Sequence, residues 1–248
     1  MPAGINKAEQ RQRHCVFTHL GLMEYTEALA LQTAVLKAKL RDPNKKDQLF
    51  FVEHLPVYTL GRRGGRENLV VTEDFLKNQR IDIVQTDRGG NITYHGPGQA
   101  VLYPIIDLEK NRLSVPDFVF GMEEIMKLTA KEFEVPADRD ERNHGLWVGN
   151  KKIGSVGISI KKGISIHGLA MNINLDLTPF SWINPCGLAN QAMTSIAQER
   201  HWPSQSISNF DTDDTIMDKI CDCFVRHFST LFDIQIITEP NNGSLKHV

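Results

Sequence analysis

The chain has 248 residues, 41% hydrophobic and 23% charged, the composition of a globular protein large enough to bury a core without disulfide or metal staples. Its 28 Lys and Arg nearly balance 30 Asp and Glu, so no global charge draws it to nucleic acid or an anionic membrane, and electrostatic docking must be local. No stretch approaches the roughly 20 apolar residues of a membrane span, and Met1 to Gln12 lacks the apolar core of a secretion signal.

In chain order, Cys15 to Leu20 reads as a first strand. Glu24 to Leu40 reads as a helix, with Tyr25, Ala28, Leu29, Leu36 and Leu40 at helical spacing. Asp42-Pro43-Asn44 stops it. Leu49 to Glu53 is a strand, Phe75 to Arg80 a short helix and Ile81 to Thr86 another strand. A glycine-rich loop follows, then the apolar strand Ala100 to Asp107. Asp117 to Phe133 is a second amphipathic helix, with Phe118, Met122, Ile125, Met126 and Phe133 along one side. Gly145 to Asn174 holds three strands joined by hairpin turns at Gly149-Asn150 and Lys161-Lys162-Gly163. A last helix runs from about Thr215 to Phe232. Interleaved helices and strands followed by hairpins predict an α+β fold with a mixed, mostly antiparallel sheet packed with helices. We read residues 1–248 as a single domain, with loose ends at about 1–12 and 240–248.

Three segments carry more special residues than core or surface needs. Arg88 to Gln99, RGGNITYHGPGQ, packs four glycines and a proline between two apolar strands. Glycine lets backbone approach a ligand closely, and Arg88, Tyr94 and His95 add polar reach. Lys151 to Gly157 and Gly163 to Asn174 place small residues inside strand patterns, which marks a ligand or another backbone nearby. Gly154, Ser155 and Gly157 suggest a pocket floor, with the stem of Lys152 packed inward. Asn184-Pro185-Cys186-Gly187 sets a cysteine in a turn. A reactive cysteine needs a nearby cation or a helix N-terminus to lower its pKa, and a lone cysteine is more often an inert small hydrophobe. Cys15, Cys221 and Cys223 complete the set. Cys221-x-Cys223 has too few companions for zinc, and the free thiols fit the reducing cytoplasm.

Together these segments resemble the lipoyl(octanoyl) transferases, the octanoyltransferases of the biotin/lipoate protein ligase superfamily. The resemblance includes EHLPVYTLGR at Glu53 to Arg62, RGGNITYHGPGQ, KKIGSVGI, HGLAMNINLDL, INPCGL and Thr194-Ser195-Ile196, and spans roughly Gly21 to Ser195. Asn91 stands where such sequences usually carry Gln, Leu55 replaces a Pro and Ile196 a Leu. The resemblance implies an enzyme that moves an octanoyl group from octanoyl-acyl carrier protein to a lysine of a lipoyl-accepting domain, in protein lipoylation. The acceptors it implies are lipoyl domains of 2-oxoacid dehydrogenase complexes or the glycine cleavage H protein. It implies Cys186 as nucleophile and Lys152 as its partner, 34 positions apart. It places Arg88, Gly89, Gly90, Asn91, Ile92, Thr93, Tyr94, His95, Ser155, Val156, Gly157, Gly168, Leu169 and Ala170 in the acyl pocket.

A thioester donor is already activated, so neither cofactor nor metal is expected, consistent with a sequence that has no P-loop. A covalent intermediate lets two protein substrates visit one site in turn. Arg62, Arg63 and Arg66, with Lys161 and Lys162, are a candidate docking patch for an acidic carrier protein. Two alternatives stay open: an ATP-dependent lipoate or biotin protein ligase, and a non-catalytic module that binds lipoyl domains.

Overall fold

A computed structural model describes residues 13–141, 143–184, 192–202 and 210–238. Along the chain the elements are β1 (His14–Met23), α1 (Tyr25–Arg41), β2 (Asp47–His54), β3 (Val57–Leu60), α2 (Glu73–Asn78), β4 (Asp82–Gln85), β5 (Ile92–His95), β6 (Gln99–Ile105), α3 (Val115–Glu132), β7 (Gly145–Val148), β8 (Lys151–Lys161), β9 (Ile164–Asn172), α4 (Ile196–Glu199), α5 (Phe210–Phe232) and β10 (Gln235–Thr238). Single 3-10 turns lie at Arg66–Asn68 and Thr178–Trp182.

The larger sheet has the order β10-β1-β2-β6-β9-β8-β7. β1 pairs in parallel with β10 and β2, and the remaining pairs are antiparallel, as the hairpin signals predict. Parallel β1 and β2 need a crossover, which α1 supplies. The β8–β9 turn places Lys162 and Gly163 at φ 50 and 84, the left-handed pair that a tight hairpin needs. β6 and β9 are buried along their whole length because both faces of the sheet are covered. On one face, Phe118, Met122, Ile125 and Met126 of α3 pack with Ile220, Phe224 and Phe228 of α5. On the other face, Tyr25, Ala28 and Leu36 of α1 pack on Phe50, Val101 and Ile166.

A second sheet, β4-β3-β5, has its own apolar cluster around Tyr58, Leu76, Tyr94 and Phe180. The segment expected to be one glycine-rich loop is therefore interrupted by a strand, β5, antiparallel to β3. The alternation in Ile92-Thr93-Tyr94-His95 is a strand signal, but glycines on either side mask it. β3 and β10 are also strands that the sequence reading leaves unassigned; each is four residues long and exists by pairing with a distant partner. The short helix begins at Glu73 rather than Phe75, because the Thr72 hydroxyl accepts from Phe75 N–H and caps it there.

Candidate active site

A cleft of about 810 Å³, its open mouth included, lies between the β6–β9–β8 surface and the loop leading into β5. Residues 88–93, His95, residues 155–157 and residues 168–170 all line it, as does Lys152. Of the residues expected in the pocket, only Tyr94 turns elsewhere: its ring packs on Tyr58 and Phe180, inside the small sheet. The period-2 alternation of β5 accounts for this, since Thr93 and His95 take the opposite face.

The arrival of Lys152 in the cleft is not what plain strand alternation would give. Residues 152 and 155 should face opposite ways. However, the register against β7 slips: Gly145 faces Ser155 and Leu146 faces Gly154, but Trp147 faces Lys152. Ile153 is thus an extra residue, a β-bulge. Ile153 and Gly154 both turn toward α3, where a Cβ on Gly154 would meet Met126 Sδ at 2.5 Å. The bulge leaves Lys152 on the same side as Ser155 and Gly157. Gly154 therefore belongs to the core rather than to the pocket floor. Lys152 is 7% exposed; its Nζ donates to the His144 carbonyl at 3.0 Å and lies 5.3 Å from the centroid of the Trp147 ring.

Cys186 and the residues beside it, Pro185 and Gly187, lie outside the described residues. The chain six positions later is anchored to Lys152 by two backbone bonds: Lys152 N–H donates to Ala192 O (2.9 Å), and Thr194 N–H to Lys152 O (2.9 Å).

Arg88 is a structural clamp. Its guanidinium donates to Thr59 Oγ1 (3.0 Å), Thr59 O (2.6 Å), Gly89 O (2.9 Å) and Asn91 O (2.6 Å), tying the loop to β3. The Gly89 carbonyl in turn stands 3.1 Å from where a Cβ on Gly157 would be, so the loop seals against β8 there. The loop also carries the candidate docking patch. Arg62 N–H donates to Arg88 O and Arg63 N–H to Gly90 O. The Arg62 and Arg63 side chains are exposed, whereas Arg66 is paired with Glu73 and Lys161 with Asp87.

Away from Lys152 and Arg88, burial favours the neutral forms of His95, Tyr25 and His167 in the cleft wall. His95 is buried, its Nδ1 bonded to Gln99 Oε1 (2.6 Å) and its Nε2 to Thr59 Oγ1 (3.3 Å). Burial lowers its pKa well below the usual value, and His54 and Arg88 nearby lower it further. With both ring nitrogens engaged, His95 is held in one orientation in the cleft wall. Tyr25 stacks on His95 at 5.8 Å, and its hydroxyl meets His167 Nδ1 at 3.3 Å. Burial pushes the Tyr25 phenol up to about 12. His167 Nε2 bonds Asp87 Oδ1 at 2.8 Å, yet burial still lowers its pKa. Burial pushes the Asp87 carboxyl up, but hydrogen bonds from His167 and Lys161 outweigh it and bring it down to about 2.

Tyr25, Tyr103, His144, Trp147, His167, Phe180 and Met193 also line the cleft and were not singled out from the sequence. Tyr25 sits on the apolar stripe of α1 and reads as core. His167 opens the HGLAMNINLDL segment, and its φ of 61, which frees its N–H from the sheet to reach Gln32 Oε1 (2.8 Å), has no signal in residue type. Among the described residues, no three His, Cys, Asp or Glu are grouped to hold a metal, and no helix is long and apolar enough to cross a membrane.

Residues 24–228 match the family described as the lipoyl protein ligase A/B catalytic domain. A protein of Desulfotalea psychrophila named octanoyltransferase is 47% identical over 182 residues, covering 73% of this chain and 82% of that protein. One of Desulforamulus reducens with the same name is 38% identical over 218 residues, covering 87% and 90%. Among solved structures, lipoate-protein ligase A bound with ATP superposes with a TM-score of 0.64 at 15% identity, covering 92% of this chain and 88% of that one. The bipartite lipoate protein ligase of Thermoplasma acidophilum, studied with its E2 lipoyl domain, gives 0.61 at 16% identity, covering 92% and 86%. The mixed sheet with helices on both faces is thus the fold of the lipoate protein ligases, and the chain belongs to the lipoyl protein ligase A/B catalytic domain family.

Proposed function

We propose that this enzyme, an octanoyltransferase of protein lipoylation, moves its acyl group through a thioester on Cys186, with Lys152 as the proton partner and octanoyl-acyl carrier protein as donor. The observation that carries the reading is Lys152, re-aimed by a bulge into a cleft walled by the Arg88 loop, in a chain 47% identical to a protein named octanoyltransferase.

The Cys186 thiolate attacks the donor carbonyl, the bond from acyl carbon to carrier sulfur breaks, and the carrier leaves as its thiol with a proton from the Lys152 ammonium, which becomes the amine. The acceptor lysine amine then attacks the same carbon. A C–N bond forms, the bond to Cys186 sulfur breaks, and the amine proton passes to Lys152. As an ammonium, Lys152 favours the thiolate; as an amine it accepts a proton. Strands rise about 3.3 Å per residue, so the wall from Lys152 to Gly157 runs roughly 15 Å, longer than an extended eight-carbon chain. Val101, Val156, Leu169 and Ala170 line the cleft for the apolar tail. The acceptor is a lipoyl domain, the kind of partner studied with the T. acidophilum ligase.

Intact-mass measurement after incubation with octanoyl-acyl carrier protein tests this. One acyl adduct is expected, absent in Cys186→Ala and released by added lipoyl domain. A Cys186→Ser variant that still acylates the domain, in a reaction requiring ATP and free acid, would establish a ligase instead. For Lys152→Ala, alkylation of Cys186 near neutral pH is expected to slow at least tenfold; a parental rate would remove Lys152 from this role.

A further inference from the structure

Glu123 lies on α3, outside the cleft and outside every motif identified from the sequence. Its side chain is 7% exposed. A buried carboxylate needs full hydrogen bonding, and this one has it. One oxygen, Oε1, accepts from Gly145 N–H at 2.9 Å and lies 3.1 Å from His144 Nδ1. The other, Oε2, accepts from Arg139 Nε at 3.2 Å.

Gly145 N–H and the His144 carbonyl belong to one planar amide. That carbonyl is the acceptor of Lys152 Nζ, at 3.0 Å. A carboxylate therefore pulls on one end of a peptide group, and an amine is held by the other end. Hydrogen bonds in series polarise one another, so negative charge on Glu123 makes the His144 oxygen a stronger acceptor for an ammonium. The geometry is locked, because Gly145 has φ +135 and a Cβ there would meet Gly154 O at 2.3 Å and Lys152 Cε at 2.8 Å. No side chain fits between the amide and the lysine.

We infer that Glu123 is a positioning residue that acts through the 144–145 amide to hold Lys152 in place and favour its protonated form. The functional part of this rests on the role given to Lys152 above. Other charged groups on the packed elements are Arg139, shared with Glu124; Lys127 paired with Asp138; His144 itself; and Lys151 paired with Glu199 of α4. All of them remain when Glu123 is changed to Gln, which keeps the shape and removes the charge.

The test reads Lys152 directly, in a Cys186→Ala background so that the thiol does not share its titration. Competitive acetylation with acetic anhydride across pH, resolved by peptide mass spectrometry, gives the pKa of Lys152. Glu123→Gln is expected to lower it by about one unit, a tenfold change in proton affinity. Glu123→Asp, which keeps the charge, is expected to stay nearer the parent even where thermal stability falls. With Cys186 present, Glu123→Gln should lower kcat and shift its pH profile to lower pH, leaving KM for the carrier protein unchanged. An unshifted Lys152 pKa in Glu123→Gln overturns the inference. So does an equal shift in Glu123→Asp, which would mean packing and not charge. If Lys152→Ala retains full acyl transfer, the proposed role of Lys152 fails, while the labelling result still decides whether Glu123 controls that lysine.

Discussion

Gly168 lines the cleft, and the resemblance places it in the acyl pocket. The structure assigns its lack of a side chain another cause. A Cβ on Gly168 would stand 1.9 Å from the Leu102 carbonyl oxygen and 2.9 Å from Pro104 Cδ, both on β6. Ordinary carbon–oxygen contact begins near 3.4 Å, so Gly168→Ala requires β6 and β9 to separate by more than an ångström. Overpacking of a rigid core costs about 1–3 kcal/mol, sometimes more. Separation also strains the ladder that pairs Leu102 with Leu169 and Val101 with Ala170, at about 1 kcal/mol per bond lost. We expect a loss of about 3–5 kcal/mol, a large share of the roughly 5–15 kcal/mol that holds a typical domain folded. Gly163→Ala is the control. Its Cβ would meet nothing within 4 Å, and only its φ of +84 resists the change, at about 1–2 kcal/mol. Urea unfolding of both variants, with the slope checked for constancy, measures the difference. A Gly168→Ala variant no less stable than Gly163→Ala would refute the strand-contact argument and return this glycine to the acyl slot.

Three further outcomes follow from the same geometry. His54 is buried, and burial, only partly opposed by its bond to the Met23 carbonyl, lowers its pKa to about 4. The unfolded chain protonates this group near pH 6.5, so its contribution is complete above that pH and is lost as pH falls toward 4, by roughly 3 kcal/mol. His95 and His167, also lowered by burial, add to the loss, and His54→Gln should flatten the slope of stability between pH 6.5 and 4. Ser114 caps α3 by accepting from Asp117 N–H at 3.2 Å; Ser114→Ala should cost about 1 kcal/mol in urea unfolding and leave transfer kinetics intact. The double variant Arg62→Glu, Arg63→Glu should weaken carrier-protein binding and flatten its dependence on salt, read as KM across an ionic-strength series. An unchanged series would remove this patch from docking.

Much of the architecture is legible in residue order, because periodicity and turn chemistry act locally. The hairpin of β8 and β9 follows from Lys161-Lys162-Gly163, α3 from an amphipathic run that the Ser114 cap starts two residues earlier than read, and the crossover of β1, α1 and β2 from alternating element types. The cleft was also legible: glycines inside strand patterns at 157 and 168 marked where backbones meet. Local reading failed where a residue takes its meaning from a distant partner. β3, β5 and β10 are strands only because another strand lies alongside. Tyr25 reads as helix core until the fold brings His95 and His167 against it.

Sequence alone names the candidates for reactive chemistry: the resemblance implies Cys186 and Lys152, where the turn and the glycine-rich strand by themselves leave both open. The direction in which Lys152 points was decided only by tertiary structure. Alternation sends it away from Ser155, and one extra residue at Ile153, unpaired against β7, turns it back. The amide that holds it is fixed by Glu123, a carboxylate 29 positions away in the chain, on a helix packed against that strand. A bulge and a buried carboxylate act through register and packing, and neither has a period that a one-dimensional pattern can carry.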